Sequence, residues 1–186
     1  MRAPAYTMHE TNLYTITIPP MRKTLGALIK ILEKAAEHAA AKASERRPAS
    51  YFEERLLQSQ LVYDQFPLLM QIQRVSDNAK GGAARLAGIE PPAMEDKEKT
   101  IEELKARLEK TVAFLDTVKA KDVVGHEERK IVLPYWKDRY MTAFEYATEY
   151  LMPNFYFHYA TAYSILRAQG IDLGKGDFIG GLPLKD

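Results

Sequence analysis

The sequence predicts an all-α fold, an antiparallel four-helix bundle with one short extra helix. Four apolar stripes recur at helical period, three capping-box patterns mark helix starts, and Pro or Gly residues separate the stretches between them. The first helix is expected to follow Pro19-Pro20, a pair suited to a helix entry. Its stripe is Met21, Leu25, Leu28, Leu32, Ala36 and Ala39, and His38 falls off that stripe toward solvent. Ser50-Tyr51-Phe52-Glu53 is a capping box, which places the short helix from there to about Ser59. The second long helix opens after Asp64-Gln65-Phe66-Pro67 and ends near Ala87-Gly88, with Leu68, Ile72, Val75, Ala79, Ala83 and Leu86 on its stripe. Gly81-Gly82 lie inside it, each at a cost of ~1 kcal/mol of helix propensity relative to Ala. Simple packing, a close helix crossing or a ligand accounts for such a pair.

Pro91-Pro92 then breaks the chain. Thr100-Ile101-Glu102-Glu103 is a second capping box, and its helix runs to about Val118 with Ile101, Leu104, Leu108, Val112 and Leu115 in the core. Ala120 to Tyr140 is less regular, and within it Arg129 to Leu133 reads as a short strand ended by Pro134. Thr142-Ala143-Phe144-Glu145 is the third capping box and opens the last long helix, which Gly170 stops. Pro153 sits inside that helix, removes one backbone hydrogen bond and predicts a kink. The tail from Ile171 to Asp186 is rich in Gly and Pro and is expected as extended coil.

At 186 residues the chain is most simply one domain, 1–186, with its core from about residue 14 to 178. Hydrophobic residues make up 46% and charged residues 27%, with a net charge of +1. The absence of a basic stripe argues against nucleic acid as a partner. No apolar run is long enough to span a membrane. There is no cysteine, which excludes disulfides, thiolate metal sites and a cysteine nucleophile. The N-terminal stretch lacks a charged-then-apolar pattern, so the expected location is cytoplasmic. A small-molecule ligand or substrate is the expected partner, and a homodimer is compatible with the pattern.

The best lead to a site is Asn154 and His158. They lie four residues apart on the last helix and so share one face. Phe144, Ala147, Leu151, Phe155, Ala162 and Ile165 fall on that same face, within roughly 60° of His158 at about 100° per residue. A polar pair inside an apolar stripe must find hydrogen bonds or line a pocket. On the second helix Asp77 points away from the apolar stripe, toward solvent. Asn78 lies at the stripe's edge near Gln71 and Gly82 and is the expected pocket residue. Tyr150 and Thr161 fall within reach of the pocket face, and Tyr159 points away from it. The aromatic residues between Tyr135 and Tyr150, and between Phe155 and Tyr163, are core packing or the wall of a cavity for a planar ligand. Nothing around His9, in the N-terminal arm, argues for a site, and His126 reads as part of a solvated loop.

The last helix resembles the final helix of the DinB/YfiT-like superfamily. His158 takes the second position of that family's His-x-x-x-His pair, and Leu166-Arg167-Ala168-Gln169-Gly170 matches its ending. The stretches from Asp77 to Gly88 and from Pro153 to His158 resemble a DinB-like family known only as a domain of unknown function. The likeness runs from about Tyr14 to Phe178. It implies the four-helix DinB fold. It also implies a site where the enzymes of the superfamily hold a divalent metal with three histidines, one from the second helix and two from the last. Here Asn154 stands at the first histidine of the last-helix pair, Asn78 at the second-helix ligand, and His158 alone is retained.

A carboxamide is a poor ligand for Zn or Ni beside imidazole, so no resident cofactor is expected and a divalent metal is the lesser alternative. The expected function is metal-independent, non-redox small-molecule chemistry of the isomerase, lyase or cyclase type. His158 would act as acid/base, with Asn78 and Asn154 orienting a carbonyl or enolate. Two alternatives stay open, a non-catalytic ligand-binding or structural bundle and a divalent-metal-dependent transferase or hydrolase.

Overall fold

A computed structural model describes residues 10–185; His9 lies outside the described residues. The helices are α1 (Leu13–Ala41), α2 (Ala49–Leu57), α3 (Leu68–Ala87), α4 (Ile101–Leu115), α5 (Ala120–Val123), α6 (Ala143–Glu145), α7 (Met152–Ala168) and α8 (Lys175–Ile179). A π-helical segment, Tyr146–Leu151, joins α6 to α7 into one continuous last helix. Strands β1 (Lys130–Ile131) and β2 (Met141–Thr142) pair antiparallel as a short ribbon around the single-turn 3-10 helix Pro134–Trp136. None of the described helices is long and apolar enough to cross a membrane.

Helices α1, α3, α4 and α7 form the bundle, and their apolar stripes form one continuous core. All six residues of the α3 stripe are fully buried. Side-chain pairs set the directions. Arg22–Asp116 and Lys105–Glu33 run α1 against α4, and Asn78–Asn154 and Gln71–His158 run α3 against α7. Helices α3 and α4 run the same way, since Gln73 meets Glu98 just ahead of α4 while Ser76 meets Thr111 further along it. The connection from 88 to 100 therefore travels back along the bundle. Its thirteen residues reach up to ~43 Å when extended, enough to cover the ~30 Å of α3.

Several elements depart from the sequence expectation. Helix α1 starts before Pro19-Pro20, because Asn12 and Thr15 form a reciprocal capping box. The prolines withdraw their hydrogen bonds from the carbonyls of Thr15 and Ile16, which lie in the partly exposed first turn where solvent can replace them. In α2 the N-cap is Pro48, not Ser50. Glu53 instead accepts from the backbone N–H of Ile101 at 2.5 Å and so caps α4 from outside, beside the expected Thr100–Glu103 box. The tail is not all coil. Helix α8 packs Phe178 on Tyr159 at 4.5 Å between ring centroids, and the Tyr159 hydroxyl donates to the Phe178 carbonyl. Ala36 is exposed, and Ala35 takes its place in the core.

The π-helical segment accounts for Phe144. In a continuous α-helix Phe144 falls on the His158 face, yet it is 52% exposed. A π turn takes up one extra residue, so every position before it rotates by about 100° relative to α7. Ala143 and Tyr146 are buried instead. The segment ends where Met152 N–H bonds to the Ala147 carbonyl, immediately before Pro153, which has no N–H to give.

Candidate functional site

Gln71, Asn78 and Arg85 recur every seven residues along α3, which puts them on one strip. That strip faces the last helix, and each residue meets a polar partner there. The result is a ladder of three polar rungs along the α3–α7 seam, broken by one apolar contact.

At the middle rung Asn154 Nδ2 donates to Asn78 Oδ1 at 2.8 Å. Asn78 Nδ2 donates to the Arg74 carbonyl at 2.8 Å. Each amide keeps a second N–H, and Asn154 keeps its carbonyl oxygen. The structure thus brings two of the three candidate residues into direct contact.

His158 joins a different partner, one helical turn further along. Its Nδ1 lies 2.7 Å from Gln71 Oε1, and Gln71 Nε2 donates to the Phe66 carbonyl at 3.0 Å. The carbonyl can only accept, so the Gln71 amide must turn its oxygen toward the imidazole. Nδ1 therefore carries the proton of the neutral ring, and Nε2 keeps its lone pair. Among the described residues no protein group hydrogen-bonds to Nε2. His158 is 9% exposed, with the Phe157 ring edge-on at 5.2 Å. Burial, and secondarily the charge of Arg74, hold its pKa below the ordinary 6.5. The imidazole is neutral at neutral pH.

Between the middle and upper rungs Gly82 faces Leu151. A Cβ on Gly82 would stand 2.3 Å from a Leu151 methyl. Leu151 thus fills the space beside Gly82, and the glycine pair is used there for a close helix crossing. Two hollows open elsewhere on the surface. One lies between the Pro92–Glu98 stretch and the outer face of α4, and the other lies beside α2. Neither is lined by Asn78, Asn154 or His158.

At the upper rung Arg85 Nη1 donates to the Tyr146 hydroxyl at 3.4 Å. Tyr146 stacks on Tyr150, and Trp136 stands edge-on to both. The Tyr135 and Tyr150 hydroxyls lie 2.6 Å apart. The π-helical segment makes this rung possible. Tyr146 is eight residues before Asn154, and the extra residue of the π turn restores the seven-residue phase of the strip.

Asp77 is not left to solvent as its helical phase suggests. It accepts from Arg107 Nη2 at 2.7 Å and lies 3.3 Å from Lys80. Arg107 is a buried cation that also pairs with Asp96 and Glu98. Thr161 spends its hydroxyl on the Phe157 carbonyl, and Tyr159 is buried against α8. His38 is half-buried and His126 exposed. Among the described residues no three of His, Asp or Glu gather as a metal-holding group. Gln71 and Arg85 are the members the sequence reading left out of the site, although their seven-residue spacing from Asn78 carries the signal.

The bundle places the chain in the DinB-like class of helical proteins. It is similar to the crystal structure of a DinB family member protein from Shewanella denitrificans, with a TM-score of 0.85 and 35% identity over 95% of this chain and 99% of that one. The chain belongs to the family described as Domain of unknown function (DUF1993), which matches residues 13–179. A comparison with curated proteins found no match.

Proposed function

We propose that the α3–α7 seam binds a small carbonyl compound and that His158 Nε2 moves a proton next to that carbonyl. The observation that carries this reading is the neutral imidazole with Nδ1–H held by Gln71 and Nε2 unengaged. In the proposed step the C–H proton passes to Nε2 and the C–H electron pair moves into an enolate. The enolate oxygen accepts from the remaining N–H groups of Asn154 and Asn78. Reprotonation at another carbon completes an isomerisation, and loss of a neighbouring leaving group completes an elimination.

The donor set supports a site without a resident divalent metal. Asn78 Oδ1 is already accepting from Asn154, so two carboxamides bonded to each other stand where a tri-histidine site needs imidazoles. We take the protein to act in the cytoplasm on a small molecule rather than on nucleic acid, in keeping with its balanced charge. A second reading, a bundle in which His158 only packs, draws support from the two surface hollows lying elsewhere.

Solvent hydrogen exchange separates the two. Pyruvate, 2-oxoglutarate and acetylacetone in D2O are followed by proton NMR with wild type and His158→Gln. The proposal expects protein-catalysed exchange in at least one compound, lost in the variant, and a shift of the His158 ring resonances on addition. Exchange no faster than buffer for all three, with unmoved resonances, favours the packing role.

A further inference from the structure

We propose that Arg85 and the hydroxyls of Tyr135, Tyr146 and Tyr150 form an oxyanion site for the carboxylate of a small planar acid. The site stands at the opposite end of the seam from His158 and rests on different observations.

The first is an excess of donors. A guanidinium carries five N–H groups. Arg85 makes one long hydrogen bond, 3.4 Å to Tyr146, and among the described residues no carboxylate pairs with it. Tyr146 accepts from Arg85 and so keeps its own O–H to give. The Tyr135–Tyr150 hydrogen bond uses one phenolic proton and leaves the other. Guanidinium and phenol donors thus lie side by side, and among the described residues no carboxylate receives them. Arg74 and Lys80 of α3 and Arg107 of α4 all pair with carboxylates.

The second is a pose that only glycine permits. Arg85 folds back along its own helix so that its guanidinium lies on Gly81, where a Cβ would come within 2.6 Å of Nη1. An exposed arginine would extend into water, whereas this one is half-buried and turned toward the phenols.

Aromatic rings flank these donors, which suits a planar acid. Tyr146 and Tyr150 stack at 5.8 Å, and Trp136 meets Tyr150 edge-on at 5.6 Å. A single guanidinium matches a monoanion in charge, and its fork matches the two oxygens of a carboxylate.

Trp136 is the only tryptophan of the chain and makes ring contacts with all three phenols, so its fluorescence reports on this site. Sodium benzoate, acetate and phosphate are titrated at constant ionic strength. The expected result is a saturable change with benzoate, stronger than with acetate or phosphate. Arg85→Gln should weaken benzoate by at least ~10-fold, the loss of a charge-assisted pair. Gly81→Ala, which keeps Arg85 but displaces its guanidinium, should also weaken it, and decides the matter should Arg85→Gln fail to fold. Arg55→Gln, a guanidinium on α2, should leave affinity unchanged. The absence of a saturable change overturns the site, as does benzoate affinity equal to wild type in Gly81→Ala. Phosphate binding tighter than benzoate overturns the carboxylate assignment.

Discussion

The two flanks of α3 treat polar residues in opposite ways. Toward α4, Ser76, Asp77, Arg107, Thr111 and Glu98 form a closed network. The Arg107 guanidinium spends its N–H groups on Asp77 at 2.7 Å, Ser76 at 3.1 Å, Glu98 at 3.0 Å and the Glu95 carbonyl at 3.3 Å. Toward α7, Asn154, His158 and Arg85 each meet one partner, Asn78 meets Asn154 and the Arg74 carbonyl of its own helix, and all four keep donors or acceptors over. Asp77 and Asn78 are sequence neighbours and fall on different sides of this divide. A closed network holds a structure together, here by strapping the 88–100 crossover against the bundle. An open one costs stability unless something else completes it, which is why the open flank is where function is proposed.

The largest effect should come from breaking the closed flank. Arg107 is 3% exposed. Burial opposes its charge, and the hydrogen bond to Glu98 with the nearby charges of Asp77, Glu98 and Asp96 outweighs that and raises its pKa. Replacing it with Met leaves Glu98 without a cation, while Asp77 keeps Lys80 and Arg74 and Asp96 keeps Arg74. Removing one partner of a buried pair costs ~3–5 kcal/mol. Asp77 and Asp96 partly reach water, so the lower end, ~3 kcal/mol, is expected from urea unfolding of Arg107→Met. A loss below ~1 kcal/mol would mean that the crossover is held by its apolar contacts alone.

The glycine pair sharpens the comparison within the seam itself. A Cβ on Gly82 meets the γ-carbon and both methyls of fully buried Leu151, so Gly82→Ala should destabilise by ~1–3 kcal/mol through overpacking. A Cβ on Gly81 meets only the end of the Arg85 side chain, which can swing away. The propensity gain of Ala, ~1 kcal/mol, then leaves Gly81→Ala close to neutral in a thermal melt. Equal losses at the two positions would show that Arg85 is as tightly held as Leu151.

Much of the fold was legible because it is local. The stripe of α3 and the capping boxes at Thr100 and Thr142 depend on residues within one or two turns, and all are present. The start of α1 was written in Asn12 and Thr15, but two adjacent prolines carry the stronger local signal for a helix entry. The register before Asn154 was not legible, since it depends on a π turn that packs Leu151 against Gly82 across the bundle. Arg107 was invisible as a hub because its partners come from α3 and the crossover, which no local pattern brings together. In the candidate site the face shared by Asn154 and His158 could be read from spacing. That His158 meets Gln71 while Asn154 meets Asn78 needed the antiparallel register of two helices.

The smallest effect concerns the proton on His158. Burial, and then Arg74, lower its folded pKa below the 6.5 of the unfolded chain. As pH falls from neutrality the unfolded chain takes up the proton first, so protonation favours unfolding. The contribution of the neutral imidazole is complete above 6.5 and is lost as pH falls through the folded value. The Gln71 oxygen accepts from Nδ1 in either charge state, so it does not reverse this sign. His158→Gln has no proton to gain. Melting temperatures of the two proteins, compared from about pH 7.5 down to about pH 5, should therefore fall more steeply for wild type. Parallel curves would mean that the ring is as well solvated folded as unfolded. His158 would then sit on an open surface rather than in the seam, and the contrast between the two flanks of α3 would lose its lower rung.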